Sequence, residues 1–196
     1  MANLKHAIKQ GIVALKAKNI QPVMQTVGDE SLLKGKTALV VGGSGGIGKA
    51  VAKAFLKNGA NVVIAGTRRA KVDKVVLELG GNCAGVVVDL AEPDTFSKVI
   101  DEAVAFYGPI NILVNSAGVH TEDVSMGGFL DFSVEEYDRI LDINLRGVYF
   151  MVQSVAKRMI SDKVSNGHIL IVSSSAGNEP AWSPYRVSKW GLKGIT

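Results

Sequence analysis

The sequence predicts an α/β fold in which a doubly wound parallel sheet carries helices on both faces. From residue 36 onward, short apolar runs alternate with helical stretches, which is typical of strand–helix–strand units. The runs are almost continuously apolar, as expected for parallel strands buried on both faces. The chain has 196 residues, of which 47% are hydrophobic and 20% charged, so it suits a single compact domain and excludes a disordered chain.

Five runs have the length and the β-branched composition of strands. In order they are Thr37–Val41, Asn61–Ala65, Ala84–Val88, Ile110–Val114 and His168–Val172. Right-handed crossovers between successive strands are expected to bring helices to both faces of the sheet. Ligands of such sheets bind beyond the carboxyl ends of the strands, where the strand order reverses.

Helical stretches fill the intervals between these strands. Gly59 and Gly80 are helix stops, Pro93 suits a first helical turn, and Ser133 with Glu136 forms a capping box. The predicted helices are Ile47–Asn58, Ala70–Leu79, Pro93–Tyr107, one long helix from Ser133 to Ile160, and one that begins at Pro184.

Residues 1–34 predict a helical extension and linker, and residues 35–196 the domain itself. One apolar stripe at helical spacing is formed by Leu4, Ile8, Ile12 and Leu15. Five lysines and two carboxylates lie in this segment, so it carries most of the net charge of +4. We expect the helix to dock on the domain or on a neighbouring subunit; a targeting or membrane-surface helix is the alternative.

Composition excludes several function classes. A nucleic-acid-binding domain would need a basic stripe interleaved with aromatic residues, and the sequence has none. The longest uncharged run contains Pro109 and does not predict a membrane span. The single cysteine, Cys83, cannot close an intrachain disulfide. We expect a cytoplasmic protein with no nucleic-acid partner, no membrane association and no metal site.

A glycine-rich turn follows the first predicted strand. Glycines there would let backbone amides approach a pyrophosphate, and the next helix offers unpaired N–H groups at its start. The predicted cofactor-binding residues of this turn are Gly42, Ser44, Gly46, Ile47 and Gly48. The alternative is that a tight strand-to-helix turn needs these glycines for packing alone.

The residues after the second strand favour a phosphorylated ribose. Thr67, Arg68 and Arg69 stand where an NAD-preferring fold usually has a carboxylate for the ribose hydroxyls. Arginine pairs with phosphate, so NADP is preferred and NAD remains possible. The alternative is that both arginines are solvated residues at a helix start.

Two further strand ends complete the predicted cofactor site. Asp89 and Leu90 close the third strand, and the Asp89 carboxylate suits either the adenine amino group or a turn. Asn115, Ala117 and Gly118 follow the fourth strand; the small residues leave room for adenosine, and the Asn115 amide could bridge neighbouring strands.

A titratable pair opens the last helix. Tyr185 and Lys189 are spaced i, i+4, so they share one helix face. A tyrosine beside an ammonium could give a proton to an oxygen whose carbon receives hydride, or remove that proton in the reverse direction. The serine run Ser173–Ser175 at the end of the preceding strand offers a hydroxyl to hold the substrate oxygen.

In these motifs the chain resembles the classical short-chain dehydrogenase/reductase family, from Lys36 to the last residue. The resemblance implies a Rossmann fold, and it makes Tyr185 the catalytic acid/base and Lys189 its partner on the nicotinamide ribose. It implies that Ser174 polarises the substrate oxygen and that Asn144 holds a water that links Lys189 to solvent. Family members commonly form dimers or tetramers through the two helices that begin near Ser133 and Pro184.

The chain departs mildly from the family pattern at Val41 and Ser116, where the family usually has Thr and a second Asn, and more clearly in two further respects. The interval between Ser174 and Tyr185 is shorter than usual, so counting back from the tyrosine favours Ser173, whereas the Ser-x-x-Gly turn favours Ser174. The family's last two strands are also expected to be missing, because the chain stops at Thr196 inside the last predicted helix. The chain is then either a fragment of a longer protein or natively short.

The residues and the resemblance together predict an NADP(H)-dependent oxidoreductase that interconverts a carbonyl and a secondary alcohol. The expected partner is a small carbonyl or alcohol substrate. One alternative is an NADP-binding sensor or structural subunit without turnover. A weaker one is a methyltransferase on a similar sheet, which leaves Tyr185 and Lys189 unexplained.

Overall fold

The protein is described by a computed structural model that covers residues 32–120, 129–180 and 182–195. The predicted N-terminal helix therefore lies outside the described residues. Within the described residues, five parallel strands form one sheet in the order β3-β2-β1-β4-β5. They are β1 (Thr37–Val41), β2 (Asn61–Gly66), β3 (Cys83–Val87), β4 (Ile112–Asn115) and β5 (His168–Ile171).

Helices connect the strands and cover both faces of the sheet. They are α1 (Gly46–Lys57), α2 (Arg69–Leu79), α3 (Phe96–Tyr107), α4 (Val134–Leu141), α5 (Val148–Ser161) and α6 (Pro184–Lys193). The strand order reverses between β1 and β4, so ligands are expected at the carboxyl ends of these two strands.

Two apolar cores lie on opposite faces of the sheet. On one face Val40 and Val62 pack with residues of α1 and α2, including Ala52 and Val72. On the other, the alternate strand residues pack against α3 and α5. This arrangement confirms the doubly wound fold and explains why the central strands are almost continuously apolar.

Strand ends differ from the sequence expectation by one or two residues. The fourth strand begins at Ile112. Just before it, the Asn111 side chain accepts a hydrogen bond from the Thr37 amide, so a side chain takes the place of a backbone acceptor at this end of the strand. The third runs over Cys83–Val87, and the fifth ends at Ile171. The expectation that every strand is buried on both faces is wrong for β5, which lies at an edge of the described sheet and is partly exposed.

Two predicted helices are not uniform. The stretch expected as a helix from Pro93 begins with a 3-10 turn, Pro93–Thr95, in which the Thr95 hydroxyl donates to the Glu92 carbonyl. The long helix expected from Ser133 to Ile160 contains a π-helical segment, Asp142–Gly147, between α4 and α5. The Ser133 cap at its start is confirmed, since its hydroxyl accepts from the Glu136 amide at 3.1 Å.

The π-helical segment is explained by what it touches. Asn144 is fully buried and turned toward the end of β4, while Gly147 lies against Leu90 after β3. The segment therefore contacts the ends of two strands, and such π-helical insertions are frequent at functional sites.

Gly147 is predicted to be essential for this packing. A Cβ at Gly147 would overlap the carbonyl oxygen of Leu90 and approach the Leu90 Cβ to 2.8 Å. We expect Gly147→Ala to lower the free energy of unfolding in urea by about 1–3 kcal/mol. Gly46→Ala is the matched control, because a Cβ there meets nothing within 4 Å. Equal stability of the two variants would contradict the close approach.

Candidate active site

The glycine-rich turn after β1 is held by backbone hydrogen bonds from its first residues. The Gly42 amide donates to the Ala65 carbonyl at 2.9 Å, and the Gly45 amide donates to the Gly42 carbonyl at 2.9 Å. Gly42 has a φ of +79°, which an L side chain adopts only with strain. The turn therefore brings its backbone against the ends of β1 and β2.

The glycines of this turn serve two purposes. A Cβ at Gly42 would come within 2.6 Å of the Ala117 amide nitrogen, and one at Gly48 within 2.6 Å of the Ser116 hydroxyl, so both are required by packing against the end of β4. Gly46, the first residue of α1, has nothing within 4 Å of a built Cβ. The start of α1 thus stays open, as binding of an anion to its backbone amides would require.

A cleft of about 240 Å³ opens beside this turn at the carboxyl edge of the sheet. Residues from four strand ends line it, and among the predicted cofactor residues these are Gly42, Ser44, Thr67, Asp89, Leu90, Ala117 and Gly118. The other predicted cofactor residues are not part of its lining: Gly46, Ile47, Gly48, Arg68, Arg69, Asn115, Tyr185 and Lys189.

The basic residues after β2 point in different directions. Thr67 and Lys71 line the cleft. Arg68 is the exposed residue before α2. Arg69 turns away, because its guanidinium donates to the Gly85 carbonyl at 3.3 Å and lies 3.6 and 3.8 Å from the carboxylates of α2 and α3. Sequence reasoning missed Lys71, since a lysine two residues inside a helix carries no signal of its own.

The ends of β3 and β4 hold two polar side chains. The Asp89 carboxylate accepts from the Ala91 amide at 2.9 Å, so it stabilises a turn and also lines the cleft. Asn115 is fully buried; its amide donates to the Ala117 carbonyl at 3.4 Å and makes no bridge to a neighbouring strand. Its side-chain oxygen has no hydrogen-bond partner among the described residues.

The Asn144 side chain joins three parts of the site. Its oxygen accepts from the Val119 amide at 2.7 Å, and its nitrogen donates to the Val119 carbonyl at 2.8 Å and to the Ser188 hydroxyl at 3.2 Å. Ser188 in turn donates to the Tyr185 carbonyl at 2.7 Å. Both amide hydrogens of Asn144 are thus committed to protein atoms, so a water could be held through its backbone carbonyl or the second lone pair of its side-chain oxygen.

Tyr185 and Lys189 share one face of α6, as their spacing predicts. The Lys189 ammonium lies 5.6 Å from the centroid of the Tyr185 ring and donates to the Val172 carbonyl at 3.3 Å. A Cβ at Gly118 would lie 3.6 Å from the same ammonium, so Lys189 reaches the edge of the cleft. Lys189 is only 5% exposed, and burial lowers the pKa of its ammonium.

The two candidate serines have different contacts. The Ser173 hydroxyl donates to the Lys189 backbone carbonyl at 3.3 Å and ties the end of β5 to α6. The Ser174 hydroxyl accepts from the Ala176 amide at 3.2 Å, which leaves its own hydrogen to donate elsewhere. Gly177 packs against α6, since a Cβ there would lie 2.8 Å from the Lys189 carbonyl oxygen.

An imidazole that the sequence did not single out lies beside the tyrosine. His120 and Tyr185 have ring centroids 4.3 Å apart, with the rings tilted by 41°. His120 comes two residues after the small residues that end β4, and Val119 between them lines the cleft. His120 and Tyr185 are far apart in the sequence, which explains why sequence reasoning missed the pair.

The fold and the site together define a class of protein. It is a Rossmann-type α/β domain with an open helix start and a Tyr–Lys pair at the carboxyl edge of its sheet. The short chain dehydrogenase family profile matches residues 36–196. The chain belongs to this family.

Several known proteins resemble the chain. An oxidoreductase named UcpA from Salmonella typhimurium is 36% identical over 170 residues, which is 84% of this chain and 62% of UcpA. The 3-oxoacyl-[acyl-carrier-protein] reductase FabG from Thermotoga maritima is 34% identical and is covered over 66% of its length. A variant of actinorhodin polyketide ketoreductase, solved with NADPH, superimposes with a TM-score of 0.74 at 26% identity and covers 82% of this chain and 62% of that one. The chain therefore spans about three fifths of the length of UcpA and of the ketoreductase.

The described residues contain neither a membrane-spanning helix nor a metal-binding cluster. None of the helices in residues 32–120, 129–180 and 182–195 is long and apolar enough to cross a bilayer. In the same ranges, groups of three or more metal-ligating side chains do not converge.

The buried ammonium of Lys189 predicts a pH dependence of stability. Between the lowered pKa of folded Lys189 and the ordinary lysine pKa, the unfolded chain binds more protons than the folded protein. Stability contributed by this group therefore rises with pH through that window and is lowest below it. Relative to Lys189→Met, the wild type should gain stability as pH rises, by about 1.4 kcal/mol for each unit by which burial lowers the pKa.

Urea unfolding of both proteins from pH 7 to 10 measures this difference. Lys74→Met is the matched control, because Lys74 is an exposed residue of α2 and its substitution should give a difference that does not change with pH. A pH-independent gap between wild type and Lys189→Met would contradict the burial of the charge.

Proposed function

We propose that the protein is an NADP(H)-dependent oxidoreductase that interconverts a carbonyl and a secondary alcohol. One observation carries the proposal: Tyr185 and the buried Lys189 meet at the edge of a cleft built from strand ends and a glycine-rich turn. A titratable phenol beside a fixed ammonium is suited to proton transfer at an oxygen. The likeness to reductases, one of them solved with NADPH, supports the same activity.

The residues around the cleft fit a dinucleotide. The start of α1 is open at Gly46 and can offer backbone amides to a pyrophosphate. The buried oxygen of Asn115, which has no hydrogen-bond partner among the described residues, is an acceptor that a buried water beside the cleft would satisfy. Ser44, Asp89 and Gly118 line the same cleft and would hold the rest of the cofactor. The bound nicotinamide supplies or accepts the hydride.

The chain's own residues handle the proton and the oxygen. In reduction, the Tyr185 hydroxyl donates its proton to the oxygen of the former carbonyl, and in oxidation the phenolate takes it back. The ammonium of Lys189, 5.6 Å from the ring centroid, stabilises the negative charge that develops when the phenol proton leaves. Ser174 is the better candidate to donate to the substrate oxygen, because the Ser173 hydrogen is used on the Lys189 carbonyl.

Removing the phenol oxygen tests this assignment. In the complete protein, Tyr185→Phe should lower kcat at least 100-fold on an accepted ketone, since positioned acid–base catalysis contributes typically 10²–10⁴-fold. NADPH binding, followed by fluorescence, should be unchanged. Turnover is measured by absorbance of the nicotinamide band.

Tyr107→Phe is the matched control, because Tyr107 ends α3, far in the fold from α6. If Tyr185→Phe kept full turnover, the proton would be handled elsewhere. If the wild type bound NADPH tightly and turned over no carbonyl, the alternative of a cofactor-binding subunit would replace the proposed function.

We infer NADP preference from the basic residues near Thr67. Lys71 lines the cleft, and Arg68 is exposed before α2, so both can reach a phosphate on the adenosine ribose. No carboxylate stands at the end of β2 to receive the ribose hydroxyls of NAD. Arg69 contributes less to this proposal, because its guanidinium is turned toward Gly85 and the carboxylates of Asp73 and Glu102.

Cofactor titrations measure this preference. We expect Lys71→Ala and Arg68→Ala each to raise the Kd for NADPH roughly tenfold or more, as loss of a charge-assisted hydrogen bond does, with little effect on NADH. Lys74→Ala, one helical turn farther along α2, should change neither. Equal loss of NADPH and NADH affinity would show that these side chains do not read the phosphate.

The outer face of α5 and α6 supports a further proposal, that the protein is a homo-oligomer. Tyr149, Phe150 and Trp190 are exposed aromatic residues on these helices. Tyr149 and Phe150 line a groove of about 460 Å³, to which Trp190 does not contribute. The rest of its lining is apolar at Leu141, Leu145 and Ile195 and charged at Asp142 and Arg146. A second copy would remove this apolar surface from water.

A cytoplasmic location stays a prediction.

A further inference from the structure

His120 lies where a substrate would meet the catalytic tyrosine. Its ring centroid is 4.3 Å from that of Tyr185, and its side chain is exposed to solvent. Its neighbours Gly118 and Val119 line the cofactor cleft. The imidazole therefore lies beside the phenol, next in sequence to residues that line the cleft.

The backbone that carries His120 is held from two directions. The Asn144 side chain binds both the amide and the carbonyl of Val119, at 2.7 and 2.8 Å. The Arg139 guanidinium donates to the His120 carbonyl at 2.9 Å and is itself paired with the Glu136 carboxylate at 2.8 Å. Three side chains of α4 and the π-helical segment thus fix the position from which the imidazole projects.

The chemistry of imidazole limits what it can recognise there. The imidazole is tilted by 41° to the phenol ring, and its two nitrogens lie on the ring edge. In the neutral ring one nitrogen donates a hydrogen bond and the other accepts one. An aromatic ring without nitrogens would pack on Tyr185 equally well, so the exposed nitrogens are what a histidine adds at this position.

We propose that His120 selects carbonyl substrates that carry a second oxygen on the carbon next to the reacting carbonyl, such as α-hydroxy ketones. The inference rests on the proposed function. The reacting oxygen lies against the Tyr185 hydroxyl, and a substituent on the adjacent carbon then falls within reach of the neighbouring imidazole edge. The hydrogen bond to that substituent orients the substrate and leaves the proton transfer to Tyr185.

The experiment compares 3-hydroxy-2-butanone with 2-butanone in the complete protein. The measured quantity is kcat/KM for 3-hydroxy-2-butanone divided by kcat/KM for 2-butanone. An effect of a variant that is equal for both ketones cancels in this ratio. His120→Phe keeps an aromatic ring on Tyr185 and removes the nitrogens, and the ratio should fall about three- to tenfold, as loss of one hydrogen bond does. His120→Gln keeps a donor and an acceptor and should restore at least part of the ratio.

His168→Phe is the matched control, because His168 is an exposed histidine at the opposite end of β5 and should leave the ratio unchanged. Tyr185→Phe should lower both kcat/KM values and keep their ratio. An unchanged ratio in His120→Phe, or a loss that is equal for both ketones, would overturn the role of His120 and leave the proposed function intact. Absence of turnover of any ketone by the wild type would instead overturn the proposed function, and this inference with it.

Discussion

The site depends on the hydrogen bonds of one buried side-chain amide, that of Asn144. It joins the segment after β4 to the π-helical segment and, through Ser188, to the start of α6. These three segments carry the cleft wall, the apolar contact to Leu90 and the Tyr–Lys pair. Because a fully buried amide without partners would cost free energy, all three segments must meet for the amide to be satisfied. The stability of the fold and the geometry of the site are thus coupled through one side chain.

Close backbone approach is the second constraint. Gly42 and Gly48 let the turn after β1 pack against the end of β4, and Gly177 lets the turn after β5 pack against α6. The first contacts bring the carboxyl ends of β1 and β4 together at the cleft, and the last fixes α6 beside the end of β5. Lys189 is then buried at the edge of this cleft, where its charge is poorly solvated and lies beside the phenol.

The sequence was informative wherever a local pattern determines structure. Continuous apolar runs predicted all five strands, and the i, i+4 spacing placed Tyr185 and Lys189 on one helix face. The π-helical segment could not be predicted, because it depends on partners distant in sequence such as Val119 and Leu90. For the same reason the orientation of Arg69, which is set by α3, and the contact of His120 with Tyr185 were invisible in the sequence.

Amide hydrogen exchange at Val119 tests the central role of Asn144 most directly. In the wild type the Val119 amide donates to the Asn144 side-chain oxygen at 2.7 Å and should be protected. In Asn144→Ala this amide should exchange at least about tenfold faster, as loss of one buried hydrogen bond implies, while the Gly42 amide, bonded to Ala65, should keep its protection. Equal exchange at Val119 in both proteins would contradict the account.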